Sequence, residues 1–292
     1  MLTFNVMAPC YKRVGEASMF GIPRPREAAN AAVWQARQRR CVEAIQAARP
    51  DVAMLQEIYL VDECVQLYTQ AFESEYNLFF HRRPGKEDGL LTMVRREVLR
   101  AVGPAQNLTL TPRGDRVTTV LAVAPAGDDD ASPTLLVANT HLSFDHGKLW
   151  DKRLRRLQAE ALTAALHARD TELAVPTVAY LLAGDLNGDR QEQVYGHLKK
   201  EGYWDSSAAV GEAGGSGITH LTHNGRRMEA DYVLLRAKEA LSGATEFVSS
   251  GVLPEGLPAS DWPESAWGSV SDHRPLVATL DWRLARASSS GQ

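Results

Sequence analysis

Residues Thr177–Asp189 read TVAYLLAGDLNGD. The apolar run from Val178 to Ala183 has the pattern of a strand buried on both faces. It stops at Gly184-Asp185-Leu186-Asn187-Gly188-Asp189, so a buried strand delivers a carboxylate and a carboxamide at its end. Open α/β folds gather their chemistry at strand ends. Two plainer readings compete. Asp, Asn and Gly are the turn residues. Asp185, Asn187 and Asp189 also match the first three ligand positions of a calcium loop, but the sixth position is Arg190 rather than Gly and the twelfth is Gly196 rather than Glu. The calcium loop therefore fails, and the choice between turn and site rests on the rest of the chain.

Around this strand, Lys148–Ala168 reads as an amphipathic helix in which Leu149, Leu154, Leu157, Ala161, Ala165 and Leu166 keep roughly helical spacing. Its Lys152, Arg153, Arg155 and Arg156 read as a solvated face, with phosphate steering as the alternative. Gln191–Lys200 is a helix after the strand. Upstream, Arg116–Ala124 and Thr134–Asn139 are strands split by the acidic loop Gly127–Pro133, and the second runs into Thr140-His141. Further back, Leu2–Val6 is a short strand ending near Asn5, and Met7–Arg26 is a loop with the basic pair Lys12-Arg13. Ala28–Ala48 is a helix that ends before Pro50. Asp51–Gln56 is a buried strand with Glu57 at its end, and Val61–Phe72 is a helix. Asn77–Phe80 and Gly89–Val94 pair around the basic turn Arg82-Arg83-Pro84-Gly85-Lys86.

Downstream, Gly211–Gly217 is a flexible loop, Asp231–Arg236 begins a strand with Asp231-Tyr232, and Pro254–Gly268 is a loop with Pro and Trp. Ser271-Asp272-His273-Arg274-Pro275 leads into the last strand, Leu276–Leu280. With no internal repeat and no dividing linker, residues 1–284 read as a single domain and 285–292 as a disordered tail.

Composition bounds the function. The chain has 292 residues, 44% hydrophobic and 23% charged, which is ordinary for a soluble globular protein. A net charge of −4 excludes a protein that coats nucleic acid by charge alone, so a polyanion site must be a local basic patch. Three cysteines, Cys10, Cys41 and Cys64, argue against a disulfide framework and a cysteine zinc site. No apolar run approaches the ~20 residues that cross a membrane. The N-terminus lacks a secretory pattern, which sets an intracellular, cytoplasmic expectation, or an organellar one if a transit peptide has been removed. The sequence carries no signal of oligomeric state.

Six apolar segments are punctuated by polar residues at strand termini: Asn5, Glu57, His141, Asp185 with Asn187, Asp231, and Asp272 with His273. Singly, each has a plain role as a turn, cap or core residue. Jointly, carboxylates, amides and two histidines along one sheet edge have no stability reason to exist, because unpaired buried charge is costly. Oxygen donors without cysteine suit Mg²⁺ or Mn²⁺. No HxxxH or HxH spacing supports zinc, and no GxxxxGK[ST] loop supports a P-loop hydrolase.

The chain resembles the endonuclease/exonuclease/phosphatase superfamily. The matching motifs are TFN (3–5), LQE (55–57), NTHL (139–142), GDLN (184–187), DY (231–232) and SDHRP (271–275), in the family's order. The resemblance implies an α/β (α+β) four-layer αββα sandwich, two packed mixed β-sheets flanked by helices. It implies that Glu57 binds the metal with Asn5 beside it and Asp272 near. It also implies that Asp185 activates the attacking water, Asn187 helps position it, His141 and His273 contact the scissile phosphate, and Asp231 holds His273. Candidate substrate contacts are Lys12, Arg13, Arg116 and Asn224.

Within the superfamily the entry NVMAPCYKR and the run VANTHLSF are similar to the deadenylase-like branch. DGLLTMVRRE (88–97), GDRVTTVLAV (114–123) and GDLNGDRQEQVYGHLKKEGY (184–203) are similar to plant and algal members described as calcium-binding. The resulting expectation is a Mg²⁺- or Mn²⁺-dependent hydrolase acting on RNA or a nucleotide, a deadenylase-like 3′ exonuclease. The alternatives are a phosphatase of a small phosphorylated metabolite, such as a dinucleotide or inositol phosphate, and a non-catalytic phosphate-binding domain. A polymer needs stacking aromatics and distant phosphate contacts, for which Tyr11, Trp150, Trp262, Trp267 and the turn at 82–86 are candidates. A metabolite enzyme would close the same face with the 254–268 loop.

Overall fold

The computed structural model describes residues 1–15, 24–112, 115–128, 132–210, 217–238, 245–262 and 264–282. Within them the order is β1 (Leu2–Asn5), α1 (Ala31–Ala48), β2 (Val52–Tyr59), α2 (Asp62–Phe72), β3 (Tyr76–Arg82), β4 (Asp88–Arg95), β5 (Leu99–Thr109), β6 (Val117–Pro125) and β7 (Thr134–His141). It continues with α3 (Leu149–Glu172), β8 (Thr177–Asp185), α4 (Gln193–Lys200), β9 (Trp204–Asp205), α5 (Ser206–Val210), β10 (His220–Leu221), β11 (Arg227–Met228), β12 (Asp231–Ala237), β13 (Thr245–Val252) and β14 (Leu276–Trp282).

Two six-stranded mixed sheets form, in the orders β13-β14-β1-β2-β4-β3 and β5-β6-β7-β8-β12-β9. Each holds one parallel pair, β1 with β2 and β7 with β8. Parallel neighbours need a long crossover, and the helices α1 and α3 supply it. The sequence alternates to suit this. Leu135, Val137, Leu181 and Ala183 pack between the sheets, against Met54, Val94 and Leu276. Leu136, Ala138, Tyr180 and Leu182 turn the other way, against Leu162 and Leu166 of α3. On the far side α1 and α2 cover the first sheet through Trp34, Ile45, Tyr68 and Phe72. The layers are thus helix, sheet, sheet, helix, and β8 is buried on both faces over Thr177–Asp185.

Several elements differ from the sequence expectation. β2 does not end before Glu57. It continues to Tyr59 through a register shift between Gln56 and Ile58, and Glu57 sits in the shift at φ 57°. β5, β9, β13 and the β10–β11 hairpin were not expected. β5 escaped because Gly103 and Pro104 interrupt it and leave its pairing irregular between Val102 and Gln106. Arg155 is not on the solvated face of α3, since its side chain is fully buried, while Leu157 is exposed. The buried stripe is Arg155, Gln158, Ala159, Leu162 and Leu166. Residues 211–216 of the Gly211–Gly217 loop, 129–131 of the acidic loop and the 285–292 tail lie outside the described residues. No helix among the described residues is long and apolar enough to cross a membrane.

Candidate active site

The two parallel pairs set the site. β1 and β2 bring up Asn5 and Glu57, and β7 and β8 bring up His141 and Asp185, each near a carboxyl end. β12 runs antiparallel to β8, so its first residue, Asp231, lies opposite Asp185. Gly184 is the residue this crowding needs. It takes φ 150°, and a Cβ there would stand 1.9 Å from the Thr140 carbonyl oxygen.

Each crossover helix carries a fully buried arginine that holds a strand exit. Arg37 of α1 is paired with Glu27, at 2.6 Å, and donates to the carbonyls of Val6 at 2.8 Å, Met7 at 2.6 Å and Val270 at 3.0 Å. Arg155 of α3 is paired with Glu192, at 2.7 Å, and donates to the Ser143 carbonyl at 3.2 Å. The loops leaving Asn5, His141 and Asn187 are thereby anchored to the layers beneath.

Asp185 is the centre. Its Oδ2 accepts from Asn5 Nδ2 at 3.0 Å and lies 3.4 Å from His141 Nε2 and 3.7 Å from His273 Nε2. Its Oδ1 accepts from the Asn187 backbone N–H at 2.8 Å. The Asn187 amide nitrogen donates to the Leu142 carbonyl and stands 3.0 Å from His141 Nε2. Asp231 Oδ2 lies 2.8 Å from His273 Nδ1. Glu57 accepts from the Ala8 N–H at 3.0 Å through Oε2 and from Asn5 Nδ2 at 3.3 Å through Oε1. The structure therefore brings Asn5, Glu57, His141, Asp185, Asn187, Asp231 and His273 into one bonded cluster.

Asp272 stands at the rim, its Oδ2 4.0 Å from His220 Nε2. Lys12 is partly buried close enough to feel the charge of Asp272. Arg116 is buried with no hydrogen-bond partner on Nη1 among the described residues, and its charge couples to Glu57 and Asp185. Arg13 and Asn224 are exposed. Arg13 bonds the Arg24 carbonyl, and Asn224 sits in the turn of the β10–β11 hairpin, so neither is bonded to the cluster.

His220 belongs to the cluster and escaped the sequence reading. Its ring stacks on His273, centroids 4.0 Å apart and planes within 10°. The segment around it ties two site residues together. Thr219 Oγ1 accepts from the Asp231 N–H at 3.1 Å, and the Arg274 N–H donates to the Thr219 carbonyl at 2.7 Å. The only sequence signal was a histidine two residues after Ile218, in a stretch too short to read as a strand.

The model of the endonuclease/exonuclease/phosphatase family matches residues 2–273. The chain belongs to that family. It is 28% identical over 246 residues to an uncharacterized calcium-binding protein of Arabidopsis thaliana, a match covering 80% of this chain and 50% of that relative, so the chain spans about half the relative's length. Among solved structures it is similar to the human Nocturnin catalytic domain with bound sulfate, at 19% identity and TM-score 0.69, covering 96% of this chain and 93% of that one. ANGEL2, described as a 2′,3′-cyclic phosphatase in complex with adenosine-2′,3′-vanadate, matches at 15% identity and TM-score 0.74, with 97% and 95% covered. These likenesses show the endonuclease/exonuclease/phosphatase fold. Members of the family are phosphoester hydrolases.

Electrostatics separates His141 from His273. Burial, with the nearby Arg116 and Arg83, holds His141 well below the usual imidazole range, so it is neutral. Burial also disfavours charge on His273, but Asp231 and Asp185 outweigh it and push it up to about 10, so it is an imidazolium. Burial and the charged His273 lower His220 to about 4. Burial raises Asp185 to about 6, with His273 opposing and Asp231 adding to the rise. Burial raises Glu57 to about 7, aided by Asp88 and Asp272.

A hard cation fits this donor set. Glu57 is a carboxylate with two other carboxylates in electrostatic reach, and its side chain is 16% exposed. Asp185, Asp231 and His273, and separately His220, Asp272 and His273, also bring three possible ligand atoms within 4.8 Å of one another, but a charged His273 has no lone pair for a cation, which leaves the carboxylates to hold it. Asn5 is turned otherwise. Its amide nitrogen faces Glu57 and Asp185, while its oxygen accepts from the Met7 N–H at 3.0 Å.

Proposed function

We propose that the protein is a Mg²⁺- or Mn²⁺-dependent phosphoester hydrolase acting on RNA or nucleotides, in the manner of a deadenylase-like 3′ exonuclease. One observation carries the reading. A single carboxylate oxygen, Asp185 Oδ2, is met by Asn5 from one sheet, His141 from the other, and the Asp231-held His273 from the chain's last loop.

Glu57 would hold the ion, with Asn5 keeping the Glu57 and Asp185 carboxylates spaced and Asp272 at the rim. When bound, the ion supplies positive charge to the phosphate oxygens. Asp185 takes the proton from water as the water oxygen bonds to phosphorus in line with the departing ester oxygen. Asn187 orients that water together with neutral His141. His273, protonated and fixed at Nδ1 by Asp231, donates from Nε2 to a phosphate oxygen as negative charge builds there. Arg116 and Lys12 add positive charge beside the phosphate.

A second reading, phosphatase action on a small phosphorylated metabolite, is favoured by the 254–268 loop. Trp262 is fully buried with the Arg274 guanidinium 5.8 Å from its ring centroid. Trp267 is buried and donates to the His273 carbonyl at 2.8 Å. Arg83 of the basic turn is likewise buried, paired with Asp88 at 2.9 Å and Asp115 at 2.6 Å. None of these three offers a free face to a polymer.

The test is a parallel hydrolysis screen of oligo(A), mixed RNA, DNA, NADP-type dinucleotides, inositol phosphates and sphingomyelin, with Mg²⁺ and Mn²⁺ and after chelation. Hydrolysis that chelation abolishes and Mg²⁺ or Mn²⁺ restores supports the reading. Full turnover by the chelated protein overturns it.

A further inference from the structure

With a net charge of −4, a polyanion must be met by a local patch. The first turns of α3 carry one. Lys148, Lys152, Arg153 and Arg156 are exposed there, while Asp151 is turned inward to accept from the Lys148 N–H at 3.1 Å. Arg156 shares its charge with Glu160 at 2.9 Å, an exposed pair that holds neither group firmly. Trp150 is 46% exposed, and the Arg153 guanidinium lies 5.5 Å from its ring centroid. At about 100° per residue, Trp150, Arg153 and Leu157 share the face opposite Arg155.

The patch lies on the helical turns whose inner side is tied to the loops of the site. Arg155, on the inner side of the same turns, bonds the Ser143 carbonyl, close after His141, and Glu192, close after Asn187. The helix runs back between β7 and β8, so its first turns lie at the edge where those strands present His141 and Asp185. An indole under a guanidinium is a flat, sequence-tolerant stacking surface, and single-stranded nucleic acid is bound by such rings with cations alongside. Trp150 and Leu157 alone would also suit an apolar helix. Arg153 and Arg156, which follow Trp150 in i, i+3 steps along one exposed ridge, favour a phosphate-bearing strand instead.

We infer that this exposed ridge of α3 is a subsite for single-stranded nucleic acid, on which a base stacks against Trp150 while Arg153 and Arg156 meet the phosphates running away from the ester to be cleaved. The inference rests on the phosphoester-hydrolase reading and assigns it a polymer substrate.

Binding and hydrolysis are measured separately. Fluorescence anisotropy of labelled oligo(A) of increasing length is followed on Asp185→Asn protein, with and without Trp150→Ala, so that the probe survives. Affinity should rise with length, and Trp150→Ala should weaken long-oligomer binding roughly 5- to 100-fold, the loss of one stacked base. Trp150→Phe should restore most of it. Arg156→Gln should reduce the slope of log affinity against log salt by about 0.7. In the otherwise wild-type enzyme, Trp150→Ala should raise KM for long oligo(A) and leave dinucleotide hydrolysis unchanged.

Length-independent affinity, or long-oligomer binding untouched by Trp150→Ala, overturns the subsite. So does a Trp150-dependent preference for phosphatidylserine vesicles over oligo(A). Trp150-dependent oligo(A) binding with no hydrolysis of any phosphoester keeps the subsite and removes the hydrolase reading. Metabolite hydrolysis with no Trp150-dependent binding does the reverse.

Discussion

His273 Nδ1 lies 2.8 Å from Asp231 Oδ2, although 42 positions separate them in the chain. The contact closes across the two sheets, since Asp231 opens β12 in one and His273 precedes β14 in the other. It holds His273 charged against the cost of burial. Asp231→Asn should keep the fold, because the β12–β8 ladder is backbone-made. It should lower the His273 pKa and cut kcat roughly 10²–10⁴-fold, the range for acid–base assistance. NMR titration of His273 beside kcat on the same variant checks this. An unmoved His273 pKa with normal kcat would refute it.

The stack of His220 on His273 predicts a smaller effect. The two ring planes are nearly parallel and the charged His273 has no lone pair to share with an ion, so the neutral His220 ring acts as a brace for the imidazolium. Ring pairs contribute about 0.5–1.5 kcal/mol beyond area burial. His220→Ala should therefore lower kcat roughly 2- to 12-fold with KM nearly constant, and His220→Phe should recover most of it. Equal losses in both variants would mean that the nitrogens of His220, rather than its face, are what matter.

Asp185→Asn should separate chemistry from folding. Asparagine keeps an oxygen for the Asn187 N–H, so the turn survives. The proton acceptor is lost, and kcat should fall roughly 10²–10⁴-fold with little change in KM. The melting temperature should hold or rise, because Asp231 and Asp185 no longer repel. A destabilised variant with normal kcat would reduce Asp185 to a turn residue.

Far from the site, Asp170 predicts a pH effect on stability. Burial raises its carboxyl, but hydrogen bonds from Lys238, Thr177 and Tyr180, with the Lys238 charge, outweigh burial and hold it below the ordinary carboxylate range. Its folded pKa is below its unfolded one, so its contribution is complete above the unfolded value and is lost as pH falls through the folded value. Asp170→Asn should destabilise at neutral pH by about 1.5–3 kcal/mol, as for a hydrogen bond to a charged group. The two proteins should converge in acid. Denaturant titrations at both pH values decide it, and a constant gap would contradict the assignment.

The legible part of the fold was the part whose local pattern and tertiary role coincide. β8 is apolar on both faces because it is covered on both faces. The candidate site residues Asn5, His141, Asp185 and Asp231 stand at strand ends that a change in polarity marks, and His273 stands just before β14. Glu57 was legible as a residue and not in its setting, because a bulge at positive φ has no apolar signature. Arg155 and Arg37 look like surface charge in one dimension. Only the folded chain supplies the carboxylates and carbonyls that let them be buried. Trp262 and Trp267, candidates for stacking bases, are packing residues because a Pro-rich loop can still carry core.

Gln56 and Asn139 are motif residues that stand behind the cluster. Both are fully buried, and Gln56 Nε2 donates to Asn139 Oδ1 at 2.9 Å from one sheet to the other. Asn139 in turn donates to the carbonyls of Leu55 and Leu91 at 3.2 and 3.1 Å. Oily faces can slide past each other with little penalty, whereas directional bonds in a dry interior hold at one offset. The pair works as a dowel one residue behind Glu57 and two ahead of His141. It locks the lateral alignment of the two slabs just where the side chains of the candidate site converge.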